Sequence, residues 1–340
     1  MITTYFRSSS YNCWGLCQQQ YLLTYVLGIP APSGKKAEMG TTLHKVMECL
    51  ANCKLCIQNG TASFEDDALG TVPVTPDTLT DPRFVEKVFD KAYAHYTSPA
   101  KSIHKYTEAD KRDIRQWCWD ALQFQNGAFD PRKLTIVATE PFFDFPIDEP
   151  WAKYSYVLPD GKELTGQLRV KGTVDLITKV SDTHYEVIDW KSGECKDWGT
   201  GAAKDYVDFC KDPQLRIYHW ALSQMYKEAK TFAMTINYVR TAGPFTVAYS
   251  DDDIKATMAM LRKRFEHIKS TIIPKLKSPT NQHWFCKRVC WYGKTIHPKD
   301  GTKTICQYIA DKTRRCGLNT VILEETDPGH TVGYYHNPGS

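Results

Sequence analysis

The stretch Gly172-Thr-Val-Asp-Leu-Ile-Thr-Lys-Val-Ser-Asp-Thr-His-Tyr-Glu-Val-Ile-Asp-Trp-Lys-Ser-Gly193 limits the folds open to this chain more than any other. Apolar runs from Gln167 to Val180 and from His184 to Trp190 flank a short polar turn, which reads as two adjacent strands. That pairing would set Asp175 beside Asp189 among apolar neighbours, where carboxylates are costly to bury unless something cationic lies between them. Side chains alternate along a strand, so Lys191 points to the same face as Asp189. Converging carboxylates are hard-oxygen ligands suited to Mg²⁺ or Mn²⁺, and a lysine beside such a metal helps activate water and offset charge on a phosphate. A salt-bridged strand end is the competing reading of Asp189-Trp-Lys191 taken alone. The same spacing recurs as surface charge at Asp160-Gly-Lys162, Glu194-Cys-Lys196, Glu228-Ala-Lys230 and Asp253-Ile-Lys255.

Around this centre the pattern changes along the chain. Met39 to Gln58 reads as a helix with Leu43, Val46, Met47, Leu50 and Ile57 on one stripe and His44 at its edge. Residues 59 to 81 show no period and read as a loop, and helices are expected around Pro82 to Tyr96 and Glu108 to Asn126. Strands are expected over Lys133 to Glu140, Thr231 to Arg240 and Phe245 to Ser250, with helices over Pro213 to Tyr226 and Asp252 to Ile273. This order predicts an α/β or α+β core with a helical insertion over residues 60–130 and a flexible tail over 328–340. With 340 residues, 42% of them hydrophobic, the chain has enough apolar surface for a sizeable core. No window approaches the roughly 20 apolar residues of a membrane span, and no signal-peptide pattern opens the sequence, so the expected location is the cytoplasm, of a host or of a phage-infected cell. Gly28-Ile-Pro-Ala-Pro-Ser-Gly34-Lys35-Lys36 is not a phosphate loop: five residues separate the glycines, and Lys36 stands where Ser or Thr would bind Mg²⁺.

The ordered set His44, Gly172-Thr-Val-Asp175, Val187-Ile-Asp189-Trp-Lys191-Ser-Gly and Gln214-Leu-Arg-Ile-Tyr218 resembles the RecB-like branch of the PD-(D/E)xK nucleases. The resemblance implies a restriction-endonuclease-like core, a central mixed sheet flanked by helices. It further implies that Asp175 and Asp189 bind catalytic Mg²⁺ or Mn²⁺ with His44 completing the shell, that Lys191 handles the attacking water, and that Gln214 and Tyr218 orient the lysine and the DNA. Glu140, at a strand end, matches a family glutamate more loosely. Taken singly, His44 reads as a packed core histidine, and Gln214 with Tyr218 as an ordinary helix face; the ordered set favours the site.

Twelve cysteines are unusual for a long chain with no sign of export. Cys49, Cys53, Cys56, Cys118, Cys195 and Cys210 read as small buried hydrophobes. Ser8-Ser-Ser-Tyr-Asn-Cys13-Trp-Gly-Leu-Cys17-Gln-Gln-Gln-Tyr21 resembles the opening of RecB-like nucleases that carry an iron–sulfur cluster, as the AddB-type and CRISPR-associated exonucleases do. That resemblance implies a 4Fe-4S cluster on Cys17, Cys286, Cys290 and Cys306, fastening residues 280–318 to the start of a single domain over 1–327. Cys13 or Cys316 could replace one of these ligands, and zinc is a competing cofactor, with His283 or His297 in place of a thiol. The fifteen residues between Cys290 and Cys306 exceed the family spacing, and Asp300-Gly301 at their centre reads as an inserted hairpin.

The formal net charge of +4 hides an asymmetry, because Arg262 to Arg315 holds 14 Lys or Arg against Glu266, Asp300 and Asp311. Aromatics interleave with these cations, as in a path for a nucleic-acid strand. The expected function is a metal-dependent DNA exonuclease or end-processing nuclease acting on single strands or duplex ends in repair, recombination or replication. Two alternatives stand beside it: the nuclease subunit of a helicase-nuclease or spacer-acquisition complex, and a cluster-bearing DNA-binding protein without activity.

Overall fold

A computed structural model of the chain describes residues 1–197, 200–240, 243–278 and 282–326; the tail expected over 328–340 lies outside the described residues. Five strands make the main sheet, in the order Gly243–Tyr249, Thr231–Tyr238, His184–Lys191, Leu176–Ser181, Ile136–Thr139. The central strand His184–Lys191 runs parallel to Thr231–Tyr238 and antiparallel to Leu176–Ser181, so the sheet is mixed. A parallel neighbour needs a crossover, and the helix Pro213–Met225, capped by Asp212, supplies it.

Alternation along these strands divides the apolar side chains between two cores. Ile177, Val187, Met234 and Ile236 pack with Leu215, Tyr218 and Leu222 of the crossover helix. Leu176, Ile188 and Trp190 pack with Leu43, Met47 and Leu50 of the 25-residue helix Lys35–Asn59. The sheet is thus flanked by helices on both faces, the restriction-endonuclease-like arrangement expected. No described helix is long and apolar enough to cross a membrane.

A second sheet corrects the strand readings. The run expected as one strand from Gln167 to Val180 is two: Arg169–Thr173 joins a three-stranded sheet with Tyr5–Phe6 and Phe142–Pro146, while Leu176–Ser181 joins the main sheet. Lys133 to Glu140 shortens to Ile136–Thr139, and the chain then passes into Phe142–Pro146 of the small sheet. A continuous apolar run does not say which partner each half pairs with, and here the partner changes midway. Both crossings occur at the same level, where the Glu140 N–H donates to the Asp175 carbonyl at 3.1 Å and the Val174 N–H to the Pro141 carbonyl at 3.2 Å.

The insertion holds the expected helices, Pro82–Tyr96 and Glu108–Gln123. It also contains a hairpin, Ser63–Asp66 with Gly70–Pro73, and a short helix Pro76–Thr80, where a loop was expected. Four-residue strands are too short for a period to register. A second missed hairpin, Lys153–Val157 with Glu163–Gln167, turns at Asp160-Gly161, a hairpin signal in its own right.

Candidate active site

The joints between the two sheets deliver the carboxylates. Asp175 follows the last residue of the small sheet by two positions and lies one step beyond the paired residues Leu176 and Ile188, opposite Asp189. Glu140 sits at the other joint with φ +46°, a left-handed backbone that costs a non-glycine residue roughly 1 kcal/mol or more. The sheet-to-sheet passage holds it there, with its carboxylate toward Asp175.

His44 comes from the long helix. Its Nδ1 lies 3.1 Å from Asp175 Oδ2, which also accepts the Trp190 N–H at 3.0 Å. Asp189, 1% exposed, is held differently: Gln214 Nε2 donates to its Oδ1 at 2.8 Å, and Lys191 Nζ lies 2.6 Å from its Oδ2. Gln214 also donates to the Tyr218 hydroxyl at 2.8 Å, and that hydroxyl donates to the Thr173 carbonyl at 2.8 Å. Tyr218 thereby ties the crossover helix to the strand that leads into Asp175.

One cleft of about 480 Å³ opens over these groups, lined by His44, Glu48, Glu140, Asp175, Lys191 and the Ser192-Gly193 turn among others. Lys45, Glu48 and Tyr96, absent from the sequence reading, also face it. Glu48 is four residues after His44, hence on the same helix face, and that spacing was the available signal. Lys45 Nζ reaches Glu48 at 2.8 Å, Asp66 at 2.9 Å and Asp67 at 3.3 Å, fastening the insertion hairpin to the His44 helix.

Burial and mutual repulsion set the protonation here. Burial, then the charges of Asp175 and Glu48, push the Glu140 carboxyl up to about 7. Burial also lifts Asp189, to about 6, against the pull of Lys191. At Asp175 burial acts upward too, but the charges of His44 and Lys191 and the Trp190 N–H outweigh it and hold the carboxyl below its ordinary value. Burial disfavours the His44 imidazolium, yet Asp175 raises its pKa above the usual histidine value. A cation among these oxygens would offset the burial and the repulsion that together raise the Glu140 pKa.

Among the described residues, His44, Glu140 and Asp175 form the one group of three whose potential ligand atoms all lie within 4.8 Å of one another. Two carboxylates and one imidazole suit Mg²⁺ or Mn²⁺. Asp189, expected as a ligand beside Asp175, stands next to this group with its oxygens engaged by Gln214 and Lys191.

The thiols gather at the other end. All twelve cysteines are free. Cys49, Cys53 and Cys118 are buried in the core between the long helix and the insertion. Cys17 lies between the helices Ser8–Leu16 and Gln18–Tyr21, and Cys286 in the turn of π-helix Phe285–Val289. Cys290 follows that turn, and Cys306 opens the helix Ile305–Cys316. An antiparallel bridge between Ile296 and Thr304 closes the insert expected as a hairpin. Burial is the main cause of the raised Cys286, Cys290 and Cys306 pKa values, Cys290 to about 11, and each is raised further by the charge of Cys17. Cys13 also feels Cys17 and Cys290. The chain ends meet nearby, where the Tyr292 hydroxyl donates to the Ile29 carbonyl at 2.6 Å and the Gln19 N–H to the Lys275 carbonyl at 3.2 Å.

Two solved structures overlap this chain at low similarity. One, from Eubacterium rectale and named "Putative exonuclease", is 11% identical with a TM-score of 0.43, covering 88% of this chain and 93% of its own. The other, SSO0001, is 15% identical with a TM-score of 0.27, covering 73% and 97%. Neither overlap is close enough to carry an argument, and no curated protein matches. The family match is of another order: residues 8–294 fit the family model of the PD-(D/E)XK nuclease superfamily, an interval that holds both sheet joints, the Asp189-Trp-Lys191 strand and the Gln214 helix. This chain belongs to the PD-(D/E)XK nuclease superfamily.

Proposed function

We propose that this nuclease is a metal-dependent DNA exonuclease or end-processing enzyme of the RecB-like, iron–sulfur-bearing type, acting on single strands or duplex ends in the cytoplasm during repair, recombination or replication. One observation carries the reading: two sheet joints set Glu140 and Asp175 against His44, with Lys191 alongside on Asp189. His44, Glu140 and Asp175 would hold Mg²⁺ or Mn²⁺, and Asp189 would join them through the oxygen that Lys191 now occupies. The metal, when bound, supplies positive charge to the phosphate and the acidity that makes water a nucleophile near neutral pH. Lys191 positions that water and takes part in its proton movement. Gln214 fixes the Asp189 carboxylate, and Tyr218 holds Gln214 in turn.

A 4Fe-4S cluster on Cys17, Cys286, Cys290 and Cys306 belongs to the same proposal, within one domain over residues 1–327. Four thiolates on zinc, with bonds of about 2.3 Å, would stand roughly 3.8 Å apart. Among the described residues no three thiols fall within 4.8 Å of one another, although these four influence one another's charge. Ligands of a cubane sit on four separate irons and lie farther apart than ligands on one zinc ion.

The test is digestion of single strands labelled at the 5′ or the 3′ end, with Mg²⁺ or Mn²⁺, beside iron, sulfide and zinc analysis of anaerobically purified protein. Wild-type protein should shorten the strand from an end, and Lys191→Ala should lose about a thousandfold in rate, several kcal/mol at about 1.4 kcal/mol per decade. Metal-dependent cleavage retained in Lys191→Ala or Asp189→Ala would overturn the active-site assignment. Colourless, iron-free protein would remove the cluster.

A further inference from the structure

Next to residues that line the cleft lies a cationic arrangement that the catalytic groups do not use. Trp117, on the insertion helix Glu108–Gln123, is 6% exposed and has two cations over its ring: Lys36 Nζ lies 5.5 Å from the centroid and the Arg240 guanidinium carbon 4.9 Å. Each cation–π contact is weakly favourable, while two like charges gathered on one indole repel. Among the described residues each cation has only a loose acidic neighbour, Asp113 for Lys36 and Glu194, whose pKa Arg240 helps to lower, for Arg240. Lys36 reaches Asp113 at 4.0 Å with both side chains more than half exposed, and Arg240 donates to the Ser192 carbonyl at 3.1 Å. Lys36 is also the second residue of the helix Lys35–Asn59, where the helix dipole disfavours a cation, so helix stability does not account for it.

Position supplies the missing reason. Ser192 and Gly193 line the cleft together with Ala37, Gly40 and Thr41 of the long helix. A side chain at Gly40 would collide with Ser192 Oγ, so this glycine lets the turn lie against the helix. Lys36 directly precedes Ala37, and Arg240 donates to the Ser192 carbonyl, so both cations neighbour residues that line the cleft where the turn meets the helix. Three segments far apart in sequence converge on that spot: the start of the long helix, the second insertion helix, and the turn after the strand Thr231–Tyr238.

We propose that Lys36 and Arg240, spaced by the packed Trp117 ring, form a backbone-phosphate subsite that grips the DNA strand where it passes over the Ser192-Gly193 lip. The indole holds two long side chains in place before the strand arrives, which reduces the ordering cost of binding. An incoming phosphate offsets the repulsion between the two cations. The subsite is indifferent to base identity, because it meets only phosphates. It rests on the nuclease reading for its substrate, but its own evidence is the three-residue cluster.

The experiment measures binding of a fluorescein-labelled dT20 strand to the full chain by anisotropy, without added divalent metal, over a range of NaCl concentrations. The dependence of log Kobs on log[NaCl] should flatten by about 0.7 in Lys36→Ala or Arg240→Ala and by about 1.4 in the double variant. In turnover, KM should rise with kcat within about twofold. The charge-preserving Lys36→Arg and Arg240→Lys should keep the wild-type salt slope. An unchanged slope in a double variant that retains the wild-type melting temperature overturns the subsite, as do charge-preserving variants that lose as much as alanine, and so does a wild-type chain that fails to bind the strand. If wild-type protein cleaves but the slope does not change, the subsite falls and the nuclease reading stands. If it binds with the predicted slopes but never cleaves, the subsite stands and the nuclease reading falls.

Discussion

Glu140, Asp175, Asp189 and Lys191 reach the cleft on hydrogen-bonded strands or their ends, whereas Cys17, Cys286, Cys290 and Cys306 hang from short helical turns at the two ends of the chain. In the first region the two sheet joints place Glu140 and Asp175, whose potential ligand atoms lie within 4.8 Å of each other and of His44 from the long helix. In the second, Cys17 raises the pKa values of Cys286, Cys290 and Cys306, and among the described residues no three thiols lie within 4.8 Å of one another. Sheet joints and a packed helix can hold the donors of a single-ion site in place through their own hydrogen bonds and packing. On the proposed cluster assignment, the irregular terminal segments would draw rigidity from the cofactor itself.

That contrast gives a crossed test with the largest expected effect. Asp175→Asn removes the charge paired with His44 and should cut cleavage by about a thousandfold while iron content stays unchanged. Cys306→Ala should do the reverse, lowering iron and sulfide and dropping the melting temperature by about 5 °C or more, with the metal-dependent rate of surviving folded protein within several-fold of wild type. Matching losses in both readouts for both variants would mean that the two regions are not independent.

Protonation gives the next effect. Glu140 keeps its proton up to about 7 and Asp189 up to about 6 in the metal-free chain, so a bound ion must displace protons that these carboxyls hold. Apparent Mg²⁺ or Mn²⁺ affinity should therefore fall by up to about tenfold per pH unit below 7, and more steeply below 6, as read by calorimetric titration. The stability sign is opposite without metal. Both pKa values are raised above their unfolded values, so the contribution of these groups is fully present below about 4 and lost as pH rises through 6 to 7. Metal-free protein whose affinity is flat between pH 5.5 and 8 would break this account. The cysteine region, with no carboxylate ligand, should not share the profile.

The smallest effect concerns the link between helix and sheet. Gln214→Ala removes the hydrogen bonds to Asp189 and Tyr218 and leaves a buried carboxylate oxygen without its donor, a loss of about 1–3 kcal/mol in denaturant unfolding. An unchanged midpoint would show that Gln214 orients the site without supporting it.

Much of the cleft is legible in the sequence because its rules are local. A period of two places Asp189 and Lys191 on one face, and a spacing of four sets Gln214 beside Tyr218. Glu140 is harder to see, because its orientation follows from a left-handed backbone at a joint between sheets, and nothing in Ala138-Thr-Glu-Pro141 announces that the next strand changes partners. Glu48 and Lys45 were overshadowed by the apolar stripe of their own helix. The hairpin Ser63–Asp66 with Gly70–Pro73 escaped because its strands are shorter than the window over which periodicity registers. The basic run from Arg262 to Arg315 is in part neutralised: Arg262 pairs with Glu266 and Lys303 with Asp311 within it, and Lys312 pairs with Glu324 and Glu325 beyond it. Counting charge along the chain overstates what that segment offers a nucleic acid.

By itself the sequence determined the family, the helix and strand types around the central hairpin, and the chemistry of each donor, since these depend on residue identity and short-range spacing. Tertiary structure alone decided which donors meet. It brought Glu140 into the group with His44 and Asp175, turned Asp189 toward Lys191 and Gln214, and gathered Lys36, Trp117 and Arg240 on one lip. The physical reason is that packing two sheets and an insertion fixes distances between residues a hundred positions apart, and no periodicity along the chain encodes those distances.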